Sequence, residues 1–120
     1  MKSYTDLEQS RKLGKILRHD SADQTWERIV IAGANLGVPE EIQYRHNGDM
    51  PFQIYSGIGV PCWSLAALVD IIPEVSLNSF KDGSWNAAAQ HDGRIIYREK
   101  DDPVDACVEL IITLHELKLL

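Results

Sequence analysis

Apolar and polar positions change period several times along the chain, and the strongest pattern comes last. Over 103–120, Val104, Cys107, Val108, Ile111, Leu114 and His115 fall on one face of a helix that advances about 100° per residue. Ala106, Leu110 and Leu117 flank that face on one side and Ile112 on the other, leaving only Asp105, Glu109, Thr113 and Glu116 as a polar stripe. Asp102 is the natural N-cap. Pro103 sits at the first helical position, where its missing N–H costs nothing, and Asp105 is at N3. A helix this apolar around its girth must be covered on several sides, by its own domain, by a partner, or by both.

Upstream, Thr5-x-x-Glu8 is a capping box that predicts a first helix from Asp6, with Leu7, Leu13, Ile16 and Leu17 as its apolar edge; Gly14 weakens it and His19-Asp20-Ser21 ends it. In 22–38, Trp26, Ile29 and Val30 fit helical spacing, but the β-branched run Ile29-Val30-Ile31 favours a short strand followed by a loop. Three hairpin signals follow. Asn47-Gly48 lies between 41–46 and 51–55, Asp82-Gly83 between 75–80 and 84–90, and Asp92-Gly93 between 84–91 and 94–99. Each dipeptide favours the positive φ angles of a type I′ turn. Trp85, Ala87 and Ala89 share one face of their strand, as do Ile95 and Tyr97 of theirs. Between the β regions, Leu65, Leu68, Val69 and Ile72 have helical spacing and Pro73 closes the segment, which predicts a helix over 65–72. The expected fold class is α+β in one domain, 1–120. It comprises an N-terminal helix, a hairpin, a short central helix, a three-stranded antiparallel meander and a long C-terminal helix packed on the sheet.

Composition narrows the functional classes. Net charge is −6, unevenly spread: residues 1–20 carry five basic against three acidic groups, a net of +2, which leaves −8 for the rest. An acidic body repels phosphate backbones, so direct nucleic-acid binding is not expected. The first segment is polar and charged, no apolar run approaches membrane-spanning length, and no Asn-x-Ser/Thr sequon occurs. These features, with only Cys62 and Cys107 as thiols, lead to the expectation of a cytoplasmic protein with reduced cysteines and no membrane partner.

Two segments, PCWSLAALVDIIP over 61–73 and PVDACVELIITLHEL over 103–117, resemble parts of a group of short proteins of unknown function from Bacteroides-type gut bacteria and their phage-like or mobile elements. Such proteins also open with a short helix, as 5–17 does here. The resemblance spans about a quarter of the chain. It implies an intracellular accessory protein carried by a mobile element, with the two segments kept together in the fold, and it implies no activity and no catalytic residue.

Candidate chemistry is sparse. Cys62 precedes a short helix, where thiolates are favoured, and with a histidine nearby it would be a nucleophile; the alternative is a small buried residue beside Trp63. His115, one turn after Ile111 on the apolar face, reads first as a satisfied structural histidine and otherwise as a site lining with Cys62 or Cys107. No Cys-x-x-Cys, His-x-x-x-His or Glu-x-x-His pattern occurs, so no metal is expected. Gly57-x-Gly59 has the strand–turn–helix setting of a dinucleotide loop. However, Cys62 holds the third glycine position, Leu77 stands where the acidic residue belongs, and Pro61 removes an N–H, so no cofactor is expected. Glu99, Asp101, Asp102 and Asp105 form an acidic cluster that reads as helix capping and solvated charge, with cation binding or phosphate mimicry as the alternative. Trp26, Trp63 and Trp85 serve a core sooner than a ligand cage.

The leading expectation is a non-enzymatic interaction protein, with a homodimer as one form. Its motive is the girth of the last helix and the ending Leu117, Leu119, Leu120. The alternatives are a small hydrolase or transferase using Cys62 with His115 or His46, and an acidic decoy of a nucleic-acid-binding protein.

Overall fold

The last helix starts where its pattern predicts, at Pro103, and ends at Glu116, four residues short of the expected 103–120, because Lys118 takes a left-handed turn. The computed structural model describes residues 1–29, 40–45 and 60–120, with 27–29 and 40–45 described by their backbone alone. In chain order these residues form α1 Leu7–Gly14, a 3-10 turn His19–Ser21, β1 Gln24–Ile29, β2 Glu40–Arg45, β3 Val60–Cys62, α2 Leu65–Ile71, β4 Val75–Ser79, β5 Trp85–His91, β6 Arg94–Lys100 and α3 Pro103–Glu116. At the start of α3 the Asp102 carboxylate accepts the Val104 N–H at 2.9 Å, and Pro103 occupies the first turn. At its end the Leu119 N–H bonds the Leu114 carbonyl and the Lys118 N–H bonds that of His115, which is a Schellman closure. Lys118 takes the left-handed position, φ +58°, that glycine usually fills.

The architecture is α+β, as expected. β4, β5 and β6 form an antiparallel meander in chain order. Ala87 and Ala89 are fully buried, and across the ladder they stand level with Leu77 and Val75 on one side and Arg98 and Ile96 on the other. Two small side chains at the centre of this face let α3 lie close against β5 and β6. The opposite flank of α3 is covered by α2 and α1. Layered between sheet and helices, α3 buries Val104, Ala106, Cys107, Val108, Leu110, Ile111 and Leu114. The girth that called for extra cover therefore finds it within the chain as far as Leu114.

The two turns of the meander differ. Asp92 (φ +48°) and Gly93 (φ +76°) both have positive φ, as a type I′ turn requires. At Asp82-Gly83 only Gly83 does, φ +91°. There the Gly83 N–H bonds the Phe80 carbonyl and the Phe80 N–H bonds that of Ser84, giving a three-residue loop with a glycine bulge instead of the expected type I′ turn. The Asp82 carboxylate explains the difference. It accepts from the Ser84 hydroxyl at 2.7 Å and backbone N–H at 2.9 Å, bonds that favour the bulge and hold the carboxyl below its ordinary pKa.

The first half departs further from expectation. A strand forms within 22–38, but it is β1, Gln24–Ile29, which meets the expected run 29–31 only at Ile29, positions 30 and 31 lying outside the described residues; β1 is the centre of a second antiparallel sheet ordered β2-β1-β3. The strand expected over 41–46 is β2, and its described partner is β1. Asn47-Gly48 and 51–55 lie outside the described residues. Pro61 and Cys62 belong to β3, not to the lead-in of α2; among the described residues β3 is an edge strand, where proline is tolerated. α1 is capped one residue later than the sequence suggests. Asp6 accepts the Gln9 N–H at 2.8 Å and Gln9 Oε1 accepts the Asp6 N–H at 3.0 Å, so the box is Asp6–Gln9, not Thr5–Glu8. Thr5 is released for a different task.

Candidate functional site

That task is the junction beneath α1. Residues 3–5 run alongside 63–65: Thr5 N–H bonds the Trp63 carbonyl at 2.9 Å and Leu65 N–H bonds that of Ser3 at 3.1 Å. Thr5 Oγ1 accepts the Trp63 N–H at 3.1 Å and pairs with Ser10 Oγ at 2.7 Å. The Cys62 thiol points to the Thr5 carbonyl at 3.4 Å, and Trp26 Nε1 donates to that same carbonyl at 3.2 Å. Trp63 is wholly buried and its Nε1 donates to Ser21 Oγ at 3.0 Å. Ser64 caps α2 by accepting the Ala67 N–H, while its own N–H and hydroxyl donate to the Asp23 carboxylate. The residue types that suggested a nucleophile therefore knit three chain segments together.

Cys62, the first candidate, has no exposed surface and ends a strand two residues before the helix cap. His115, the second, is exposed. Its angular position on α3 is that of the buried face, but from His115 onward the helix runs past the end of the core, and only Leu119 folds back to be partly covered. The expected buried histidine is thus corrected: angle alone does not bury a residue in the last turn. Cys107 is buried in the core, and desolvation pushes its thiol up to about 11. His46 and Gly57-x-Gly59 lie outside the described residues.

Trp26, Trp63 and Trp85 have separate partners. Trp26 meets Tyr4 edge-on with centroids 6.0 Å apart, Trp63 bonds Ser21, and Trp85 packs on the inner face of the meander. Much of the acidic cluster is engaged internally. Asp102 caps α3 and accepts the Lys2 N–H at 2.6 Å; Asp105 accepts from Lys2 Nζ at 2.8 Å and Gln9 Nε2 at 2.7 Å; Glu99 accepts from Ser84 Oγ at 2.9 Å. These contacts fasten the N-terminal segment to the start of α3. The Asp105 bond, helped by Asp6, raises the Lys2 ammonium pKa despite partial burial. Among the described residues no cluster of three metal-ligating side chains occurs, and no helix is long and apolar enough to cross a membrane.

The surface that stands out is one that sequence reading did not mark as a site. Ile95 and Tyr97 share a face of β6, and it is the outer one, because their neighbours Ile96 and Arg98 stand level with the buried alanines. Ile95 is 68% exposed and Tyr97 55%. Leu117, 53% exposed in the turn after α3, completes an open groove of about 460 Å³ along the edge of β6 with Thr113 and Glu99. The signal in the sequence was the doublet Ile95-Ile96, which puts an apolar side chain on both faces of one strand. A second groove, about 300 Å³, lies beside Tyr4, Trp26 and Lys2. Neither groove is lined by Cys62 or His115. Compared with protein families, curated proteins and solved structures, the chain shows no significant match.

Proposed function

We propose that the protein is a small non-enzymatic accessory protein that acts through protein–protein contacts, with the outer face of β6 and the end of α3 as its contact surface. One observation carries this reading: Ile95, Tyr97 and Leu117, each more than half exposed, gather around one groove. Apolar side chains grouped in this way lose contact with water when a partner covers them, at roughly 25 cal/mol per Å². The motive differs in part from the one the sequence suggested, since α3 is covered within the chain up to Leu114 and, of the apolar ending, Leu117 lines the groove. The buried Cys62 and the exposed His115 leave the hydrolase or transferase reading without support, and the internal bonds of Asp102 and Asp105 weaken the decoy reading.

A photo-crosslinking phenylalanine analogue tests the proposal when placed at position 97, with exposed position 70 on α2 as the comparison. In an extract of the source cells, a discrete protein adduct from position 97 and none from position 70 is expected. No adduct from 97, or the same adducts from both, overturns it.

A further inference from the structure

The free edge of β6 carries a more specific message, which rests on the interaction reading above. β6 is the last strand of the meander, and among the described residues no strand pairs with its outer edge. In a two-residue hairpin the residues flanking the turn, here His91 and Arg94, form the closing hydrogen-bonded pair. Alternation then directs the N–H and C=O groups of Ile96, Arg98 and Lys100 to β5, and those of Ile95, Tyr97 and Glu99 outward. One contact agrees: the Tyr97 carbonyl is open enough to accept the Arg98 guanidinium at 2.8 Å. Among the described residues the edge is thus a row of backbone groups with no strand partner, only the Tyr97 carbonyl being met by a side chain, beside an apolar groove, the template on which extended peptides add as strands.

Charge decides what fits there. A second copy pairing antiparallel about a two-fold axis must set residues of the same face opposite each other. Centred on Ile96, this places Arg94 against Arg98 of the other copy, and centred on Tyr97 it places Arg94 against Lys100. Centred on Arg98 or Glu99 it opposes like charges directly. Such oppositions are destabilising; of the five registers centred on 95–99, only the one centred on Ile95, which sets Asp92 against Arg98 beside the turn, avoids them, so four of the five disfavour a second copy. Arg94, Arg98 and Lys100 are exposed, and among the described residues none is in an ion pair with a carboxylate. Against the single Glu99, they give β6 a net charge of +2 in a protein of net charge −6.

We infer that the edge of β6 accepts an extended acidic–apolar peptide segment of a different protein as an added strand, with carboxylates opposite Arg94, Arg98 and Lys100 and apolar side chains opposite Ile95, Ile96 and Tyr97. In antiparallel register the matching order is acidic, any, acidic, three apolar, acidic.

The probe is a fluorescein-labelled peptide, Glu-Lys-Glu-Val-Val-Val-Glu, followed by fluorescence anisotropy on the full chain. Three comparisons accompany it: the charge-reversed peptide, the same peptide N-methylated at alternate residues, and the R94E/R98E variant. Saturable binding is expected, with slower amide exchange at Ile95, Tyr97 and Glu99, and each comparison should weaken it about tenfold or more. The N-methylated peptide makes the test independent of how the variant folds. Absence of saturable binding, or equal binding of the charge-reversed or N-methylated peptide, overturns the inference. So does a doubled molar mass by light scattering that protects those three amides without peptide, because the occupant is then a second copy. A partner crosslinked at position 97 with no peptide binding leaves the interaction reading standing and removes only this inference.

Discussion

Two regions of the molecule divide its chemistry and its accessibility in opposite ways. The junction of Thr5, Cys62 and Trp63 holds a thiol, a hydroxyl and an indole, all with no exposed surface and tied to one another or to nearby backbone. The outer face of β6 holds aliphatic and aromatic side chains that resemble core and lie open to solvent. Polar residues went inside at the junction because each found a bond there, which removes most of the cost of desolvation. Apolar residues stayed outside on β6 because α3 can cover only one face of a three-stranded sheet. A reactive residue type therefore says little about a site until its neighbours are known, and an apolar residue says little about the core until its face is known.

The sharpest way to break this comparison is to truncate one aromatic from each region. Trp63→Ala should cost about 3–5 kcal/mol in urea unfolding, while Tyr97→Ala should change stability by no more than about 0.5 kcal/mol. Similar losses from the two would mean that β6 is not the open face described. A next smaller effect comes from the core thiol. The folded pKa of Cys107 is about 11 against an ordinary 9.0. Stability should be complete below pH 9 and fall as the pH rises toward 11, because the unfolded chain releases a proton that the folded chain keeps. The loss should reach roughly 2–3 kcal/mol, and Cys107→Ala should flatten that slope relative to wild type.

Two buried threonines then refine the rule that bonded polar groups belong inside. Thr5 and Thr25 both have no exposed surface, but the Thr5 hydroxyl is bonded to Trp63 and Ser10, whereas Thr25 Oγ1 has no hydrogen-bond partner among the described residues. Thr5→Val should destabilise by about 1–3 kcal/mol, since it strands the buried Trp63 N–H; Thr25→Val should stabilise by about 1 kcal/mol. Equal signs in chemical denaturation would contradict the bonding described for the junction. The smallest effect is expected at the end of α3, where Lys118→Gly relieves a left-handed residue and should add about 0.5–1 kcal/mol, read as a modest rise in Tm.

Much of the fold was legible in local pattern. The start of α3, its Asp102 cap and Pro103 were readable to the residue, because capping and helical period are properties of adjacent positions, whereas the helix expected over 103–120 ends at Glu116. The three strands of the meander were legible for the same reason. The first capping box was displaced by one residue because Asp6 and Gln9 form a second valid pair, and Thr5 is drawn instead to Trp63, far along the chain. The pairing of β2 with β1 was not legible, since adjacency in sequence states which strands can pair, not which do; the expected partner of 41–46, 51–55, lies outside the described residues.

The candidate site was less legible. Cys62 and His115 were chosen by residue type, yet one is buried and the other exposed. Of the proposed contact surface, Ile95 and Tyr97 were read only as evidence for a strand, while Leu117 was already part of the apolar ending that suggested a partner. By itself, the sequence determined the helices and strands of the second half, the cap of α3 and the α+β class, because these depend on contacts a few residues apart. The tertiary structure alone decided that β1 is the centre of a second sheet, that Thr5 locks Cys62 and Trp63, that α3 is covered on both flanks, and that Ile95 and Tyr97 face outward. Each of those outcomes depends on which distant surfaces meet, and burial is a property of the meeting, not of the residue.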